Sequence, residues 1–291
     1  MSDLTVCIPV YKRLDYLKNL VESIPEDYPI CISDNGNYIK EDLFCRGNVR
    51  IKHIDDVIPM FSNWNASIDM VETEWFIIPG DDDIIYPEKM DAIMHAIQKY
   101  SNCAVIAFGY DIINEVNEKR KGWQPIEDRC FDKVEAFYRI QRHIPYRCPA
   151  MVINTAKSRG IGNYDEEFAY TAGDSLFLQH LGLLYPIAEI REIVAGYRMW
   201  DNNFTSLKNS STDWFDQLEL WIRKMLKILR EQKIVLADEK KFHDQIILDN
   251  LLSAFDKQKA IKEKLNLLKY VGWPACSGLK GQLRLVKHLI H

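Results

Sequence analysis

Three consecutive carboxylates, Asp81, Asp82 and Asp83, follow the apolar run Trp75-Phe76-Ile77-Ile78 and the pair Pro79-Gly80. Four apolar residues closed by Pro-Gly predict a buried strand that stops where a helix would have continued. The carboxylates then fall at the carboxyl end of a strand, where open α/β sheets bind their ligands. Adjacent carboxylates repel one another, so a fold that gathers them needs a cation or several donors to offset the charge. An all-oxygen donor set suits a hard divalent ion, Mg²⁺ or Mn²⁺, shared with substrate phosphates. The competing reading is an acidic, solvated turn in which Asp83 caps the next helix.

Two further places carry chemistry. Gly173-Asp174-Ser175 opens a helix that runs through Leu181, with Asp174 as a cap-like residue or as a carboxylate base at the positive end of that helix. Ser33-Asp34-Asn35-Gly36 closes a strand; Asp34 is an acceptor for a ring N–H or the start of an Asx-turn. Tyr11, after the first strand, is a stacking surface for a base or a half-buried loop tyrosine.

These residues need a frame that brings strand ends together. Leu4–Val10, Ile30–Ser33, Val49–Ile54, Trp75–Ile78 and Ala104–Phe108 read as strands. Helical patterns separate them: one from Asp15 with Leu17, Leu20, Val21 and Ile24 on one face, one over Phe61–Val71, and one from Pro87. Strand–helix alternation predicts a mainly parallel, helix-covered sheet. From Asp111 to Pro149 the pattern weakens, with a short helix near Val134–Ile140. Ala150–Ile153 and Ile193–Arg198 are later strands. From Ser211 the periodicity is helical only, with Trp214, Leu218, Trp221, Met225 and Ile228 on one face, which sets a boundary near residue 210. The expected organisation is an α/β domain over 1–210 and a helical region over 211–291.

Bulk properties narrow the class. The 291 residues are 47% hydrophobic and 27% charged, as in soluble globular proteins. A net charge of -5 argues against affinity built on broad neutralisation of nucleic-acid phosphates. Neither a membrane-spanning run nor a signal-peptide pattern is present, and seven cysteines without a C-x-x-C pair suit a reducing, cytoplasmic setting. Residues 264–291 contain five Lys/Arg and no Asp or Glu, interleaved with Leu, Val and Trp. Such a tail fits peripheral contact with an anionic membrane face, or a packed helix whose basic side meets water.

Five motifs in order resemble a family 2 glycosyltransferase with the GT-A fold, over roughly residues 4–206. They are Val6-Cys7-Ile8-Pro9-Val10-Tyr11, Ser33-Asp34-Asn35-Gly36, Asn63-Trp64-Asn65-Ala66-Ser67-Ile68, Gly80-Asp81-Asp82-Asp83-Ile84-Ile85-Tyr86-Pro87, and Gly162–Phe168 followed by Gly173-Asp174. The resemblance implies donor contacts at Pro9, Tyr11, Arg13, Asp34, Asn65, Asp81 and Arg198, metal ligation by Asp82 and Asp83, and Asp174 as base. Asp165 and Glu166 fall to loop structure. Two departures stand out. Trp200 occupies the place of a histidine common in relatives, leaving Arg198 or a loop lysine to supply positive charge, and Gly173 replaces a second acid.

The expectation is a metal-dependent, inverting transferase that moves one sugar, of hexosyl type, from a nucleotide-sugar donor to a hydroxyl. By family frequency the nucleotide is UDP. The acceptor would be a glycan or lipid-linked saccharide of bacterial surface-polysaccharide type. Sugar-phosphate nucleotidyl transfer is the alternative within enzymes, disfavoured because no glycine-rich phosphate loop follows the first strand. A catalytically silent nucleotide- or glycan-binding module is the alternative outside them.

Overall fold

The computed structural model describes residues 3–40, 43–199, 210–258 and 260–290. β1 (Leu4–Val10) is buried along its whole length, as an apolar run inside a two-sided sheet must be. Helix α1 (Leu14–Ser23) turns Leu17, Leu20 and Val21 inward, and Ile24 is buried just past its end. β2 (Ile30–Asn35), β3 (Val49–Ile54), α2 (Met60–Ile68) and β4 (Trp75–Ile77) follow. β5 (Ile84–Ile85) lies beyond the acidic loop. A 3-10 turn at Pro87–Lys89 then leads into α3 (Met90–Lys99), with proline in the first turn where its missing N–H costs nothing.

β6 (Val105–Ile113) is longer than its apolar core predicts, and β7 (Lys119–Lys121) and β8 (Arg129–Phe131) are short edge strands in the weakly patterned region. Helix α4 (Glu135–Ile140), β9 (Met151–Asn154), α5 (Thr155–Gly160), α6 (Gly173–Leu184) and β10 (Ile187–Arg198) complete the first unit. β10 begins six residues before its expected start at Ile193 (193 − 187). The exposed pair Arg191-Glu192 hides the continuity, because register shifts there interrupt the pairing with β6.

Strand order is β3-β2-β1-β4-β9-β6-β10-β5, with β7 on β6 and β8 on β10. β3, β2, β1 and β4 run parallel, as do β6 and β10, whereas β9 is antiparallel to both of its neighbours. The mixed sheet, mostly parallel in its first half, agrees with the helix-covered α/β frame expected from the alternation. Pro9 fits inside β1 for a local reason. The Val6 N–H donates to Pro29 O on the β2 side, so alternation turns the nitrogen of Pro9 toward β4. The pairing with β4 has already ended at Val6 and Ile77, so no ladder bond is lost.

The chain divides into two compact units, Met1–Trp200 and Asp201–His291; residues 201–209, between this division and the expected one near 210, lie outside the described residues. In the second unit Ser211 caps α7 (Thr212–Glu231) and Asp238 caps α8 (Glu239–Phe255) through side-chain oxygens. α9 (Ile261–Val271) and α10 (Leu279–Ile290) follow. No described helix is long and apolar enough to cross a membrane.

Candidate active site

The loop Ile78–Asp83 leaves β4 and returns as β5, so the three carboxylates sit at the sheet's carboxyl edge. Gly80 eases close approach, since a Cβ there would stand 3.0 Å from Asp82 Oδ1 and 3.1 Å from Asp83 Oδ2, and those carboxylates would have to give by a few tenths of an ångström. Asp83 is not a helix cap. Its Oδ2 accepts the Gly80 N–H at 2.8 Å and its Oδ1 the Arg198 N–H at 2.9 Å, which continues the β5–β10 pairing by side chain. Burial pushes its carboxyl up to about 8, with Asp82 adding to the rise and the two N–H donors opposing it. Asp83 therefore shapes the loop, and both oxygens expected to ligate metal already hold backbone donors.

Arg198 takes a different place from the phosphate-binding one implied by the resemblance. It is buried, its Nε donates to Asp82 O at 2.6 Å, and its guanidinium also donates to Asn114 O and, at 2.6 Å, to Asn117 Oδ1. It stacks over Tyr16, 4.6 Å from the ring centroid. A guanidinium so engaged clamps the acidic loop from below. Trp200 lies outside the described residues.

Asp81 and Asp82 are the less satisfied pair. The Tyr11 N–H donates to Asp81 Oδ2 at 3.1 Å, and Arg13 pairs with Asp82 Oδ2 and lies 3.3 Å from Asp81 Oδ1. Burial raises the Asp81 carboxyl to about 7, offset partly by Arg13 and reinforced by Asp82; burial also raises Asp82, again against Arg13. Burial is the main cause of both rises, and a further cation beside the pair would offset it. Among the described residues no three or more His, Cys, Asp or Glu side chains form a closed metal cage. A divalent ion needs only one or two protein carboxylates when phosphates and water complete its sphere. Asp82, with Asp81 beside it, fits that open kind of site, and Arg13 pairs with both carboxylates.

At the ends of β1 and β2 two aromatic rings lie together. Tyr11 is 44% exposed and meets Tyr38 edge-on at 5.9 Å, while Lys12 Nζ lies 4.8 Å and 5.6 Å from the two ring centroids. Tyr38 was not singled out from the sequence, though its place after a Gly-Asn turn made it a candidate loop aromatic. Asp34, expected to meet a base, is 0% exposed. It accepts from Tyr38 N at 3.0 Å and Ile39 N at 2.8 Å and pairs with His53 Nδ1 at 3.0 Å, so it orders the loop that carries Tyr38.

Asn65, expected as a donor contact, is engaged with the 162–168 loop. Its amide donates to Tyr164 O and Glu166 Oε1, both at 2.8 Å, and accepts from Tyr164 N at 3.1 Å. With all its groups engaged, it docks the 162–168 loop on α2. Glu166, also held by Ser62, and Asp165, which accepts from Glu167 N, serve that loop as expected. Pro9 is buried within β1.

Asp174 does not cap α6. Ala172, in the left-handed region at φ 63, is the residue before the first turn and makes no side-chain cap bond. Asp174 stands two residues further in, half-buried, and accepts from Ser175 N at 2.8 Å. Gly173 cannot be an acid: a Cβ there would lie 2.7 Å from the Phe61 ring. Burial raises Asp174, opposed by the Ser175 N–H and by the Arg147 guanidinium. The Cys148 thiol lies within electrostatic reach of both Asp174 and Asp83, which push it up together with burial. Arg147 lies 5.5 Å from the centroid of Tyr197. The structure thus brings Asp81–Asp83, Asp174, Arg147, Cys148 and Tyr197 to one end of the sheet. Arg147 and Cys148 sit just before β9, whose reversed insertion between β4 and β6 was not readable from local pattern.

Comparison with known proteins gives a consistent picture. A family model described as glycosyl transferase family 2 matches residues 5–159, which includes the acidic loop and stops short of Asp174. An uncharacterized glycosyltransferase of Rickettsia typhi is 20% identical over 246 residues, covering 80% of this chain and 74% of that one. Crystal structures of S. aureus TarS residues 1–349 superpose over 98% of this chain. One does so at TM-score 0.58 with 16% identity and 78% of its own length covered, and the complex with UDP-GlcNAc at 0.62, 15% and 79%.

Proposed function

The chain belongs to glycosyl transferase family 2, and from that premise we propose that it transfers one hexosyl unit from a nucleotide-sugar, in the first instance a UDP-sugar, to a hydroxyl of a glycan or lipid-linked acceptor with inversion. The observation that carries this reading is the presence of two separate carboxylate sites at one end of the sheet. Asp81 and Asp82 are buried with raised carboxyls, and Asp174 is a separate half-buried carboxylate at the same sheet edge. The TarS fragment, of the same fold, has been crystallised with UDP-GlcNAc and with UDP, which supports the donor class.

In this reading Tyr11 and Tyr38, with Lys12 between them, offer stacking faces and charge to the nucleotide. Asp82 with Asp81 would hold Mn²⁺ or Mg²⁺, which would supply positive charge for the leaving diphosphate. Arg198 and Asp83 keep the loop in place for that, and Arg13 balances the carboxylates. Asp174 takes the proton of the attacking hydroxyl, which requires an ionised carboxylate. The Ser175 N–H, the Arg147 guanidinium and the first turn of α6 all favour that form. A role in surface-polysaccharide assembly, at the inner face of the membrane, completes the proposal.

The decisive experiment is a screen of nucleotide-sugars for hydrolysis or transfer with Mn²⁺, with Mg²⁺ and with EDTA. Turnover of one donor that disappears with EDTA supports the reading. Turnover unaffected by EDTA removes the metal from it, and thermal stabilisation by a nucleotide without turnover favours a silent binding module.

A further inference from the structure

Helix α10 has two apolar faces, and only one of them is covered. Leu285 is fully buried, and Gly281 packs so closely on α8 that a Cβ there would lie 2.7 Å from Leu248 Cδ2. About 150° around the helix, at 100° per residue, Leu279, Leu283 and Val286 form a second stripe that is 78%, 63% and 41% exposed. Lys280, Arg284 and Lys287 are exposed along the flank of that stripe. Within the same unit Leu265, Tyr270 and Trp273 are exposed, as is Lys269. Of the five cations after residue 263, Lys264 alone is buried, its Nζ donating to His288 O at 2.6 Å, where it ties α9 to the end of α10.

An amphipathic helix needs one apolar face to pack on its own protein. The second stripe, with three cations on its flank and no Asp or Glu from 264 to 291, is unexplained by packing. Apolar side chains beside a row of Lys and Arg form the surface that enters the interface of an anionic bilayer, with tryptophan suited to the headgroup level. The charge complementarity is local, since the whole chain carries a net charge of -5. We propose that the exposed face of α10, with Trp273, docks the protein reversibly on an anionic phospholipid surface. The occupant is the bilayer, and the assignment does not depend on the reaction catalysed.

Sedimentation of the full chain with vesicles tests this. One set contains phosphatidylcholine with phosphatidylglycerol and the other phosphatidylcholine alone. Binding to the anionic set that weakens with salt is expected. Replacing Lys280, Arg284 and Lys287 with Gln should lower partitioning about 100-fold, at roughly fivefold for each cation near the surface. Leu279→Ser with Leu283→Ser should lower it as well, and because both side chains are exposed the melting temperature should hold. Equal sedimentation of wild type and both variants, or equal binding to the two vesicle sets, overturns the proposal. Absence of vesicle binding together with a dimer that the double serine variant dissolves also overturns it, and assigns the stripe to a second copy of the chain.

Discussion

Two acidic motifs follow parallel strands on either side of β1 in one sheet, and they came to opposite ends. Asp34, at the end of β2, is fully buried and holds two backbone N–H groups and the His53 ring. Asp81 and Asp82, beyond the end of β4, are nearly as buried; Asp81 accepts the Tyr11 N–H, both lie against the partly exposed Arg13, and burial raises both carboxyls in spite of these partners. Residue type and strand-end position are the same in both. What separates structure from chemistry is whether the chain supplies enough donors, because a buried carboxylate with its donors in place has nothing left to offer a ligand. Asp83 shows the same rule inside the acidic loop, where two N–H groups make it a loop fastener.

The comparison breaks most sharply in activity. Asp82→Asn should abolish most transfer while leaving melting unchanged or slightly raised, because it removes one of several mutually repelling carboxylates. Asp174→Asn keeps size and the acceptor for the Ser175 N–H but removes the proton acceptor, so transfer should fall about 10²–10⁴-fold with donor binding intact. Rates within a few-fold of wild type for either variant would refute its assigned role. Loss of folding in Asp174→Asn would instead make that residue structural.

Asp34→Ala and Asn65→Ala should behave in the reverse sense. Each strands buried backbone groups, at a cost of about 1–3 kcal/mol for an unsatisfied buried donor or acceptor. Denaturant midpoints should therefore fall, with activity following stability. If Asp34→Ala kept its stability and lost nucleotide binding, Asp34 would meet the base after all and the contrast drawn above would fail.

The legibility of this molecule follows the same division. Local pattern was enough for β1, β3 and α2, and Pro79-Gly80 marked the acidic loop, because burial and strand termination are written within a few residues. The place of Asp174 near the loop came from the resemblance, and the structure supports the neighbourhood while removing the cap role. Partner identity was not legible. Asn65, Arg198 and Asp34 have the residue types of ligand contacts, and only the fold shows that Tyr164, Asn114 and Ile39, far away or across a turn, engage them first. Arg147 and Cys148 were missed for a related reason, since they reach the site through a strand inserted against the direction of the alternation.

The smallest effect lies in the helical unit, where a third acidic cluster has its own titratable cation. His243 Nε2 lies 2.9 Å from Glu219 Oε1 and its Nδ1 2.8 Å from Asp244 Oδ1. The bond to Glu219, aided by Asp244 and opposed by burial, raises the imidazole from 6.5 to about 9. A histidine whose folded value lies above its unfolded one adds stability in full below about 6.5 and loses it as pH rises through about 9. The melting temperature of the wild type, less that of His243→Gln, should therefore shrink steadily from pH 6.5 to above 9. The ring is one-third exposed, so solvent screening keeps the shift to a few degrees at most. A difference that stayed flat across this range would mean that the two carboxylates are held by solvent rather than by His243. The cluster would then no longer count as a satisfied counterpart to the acidic loop.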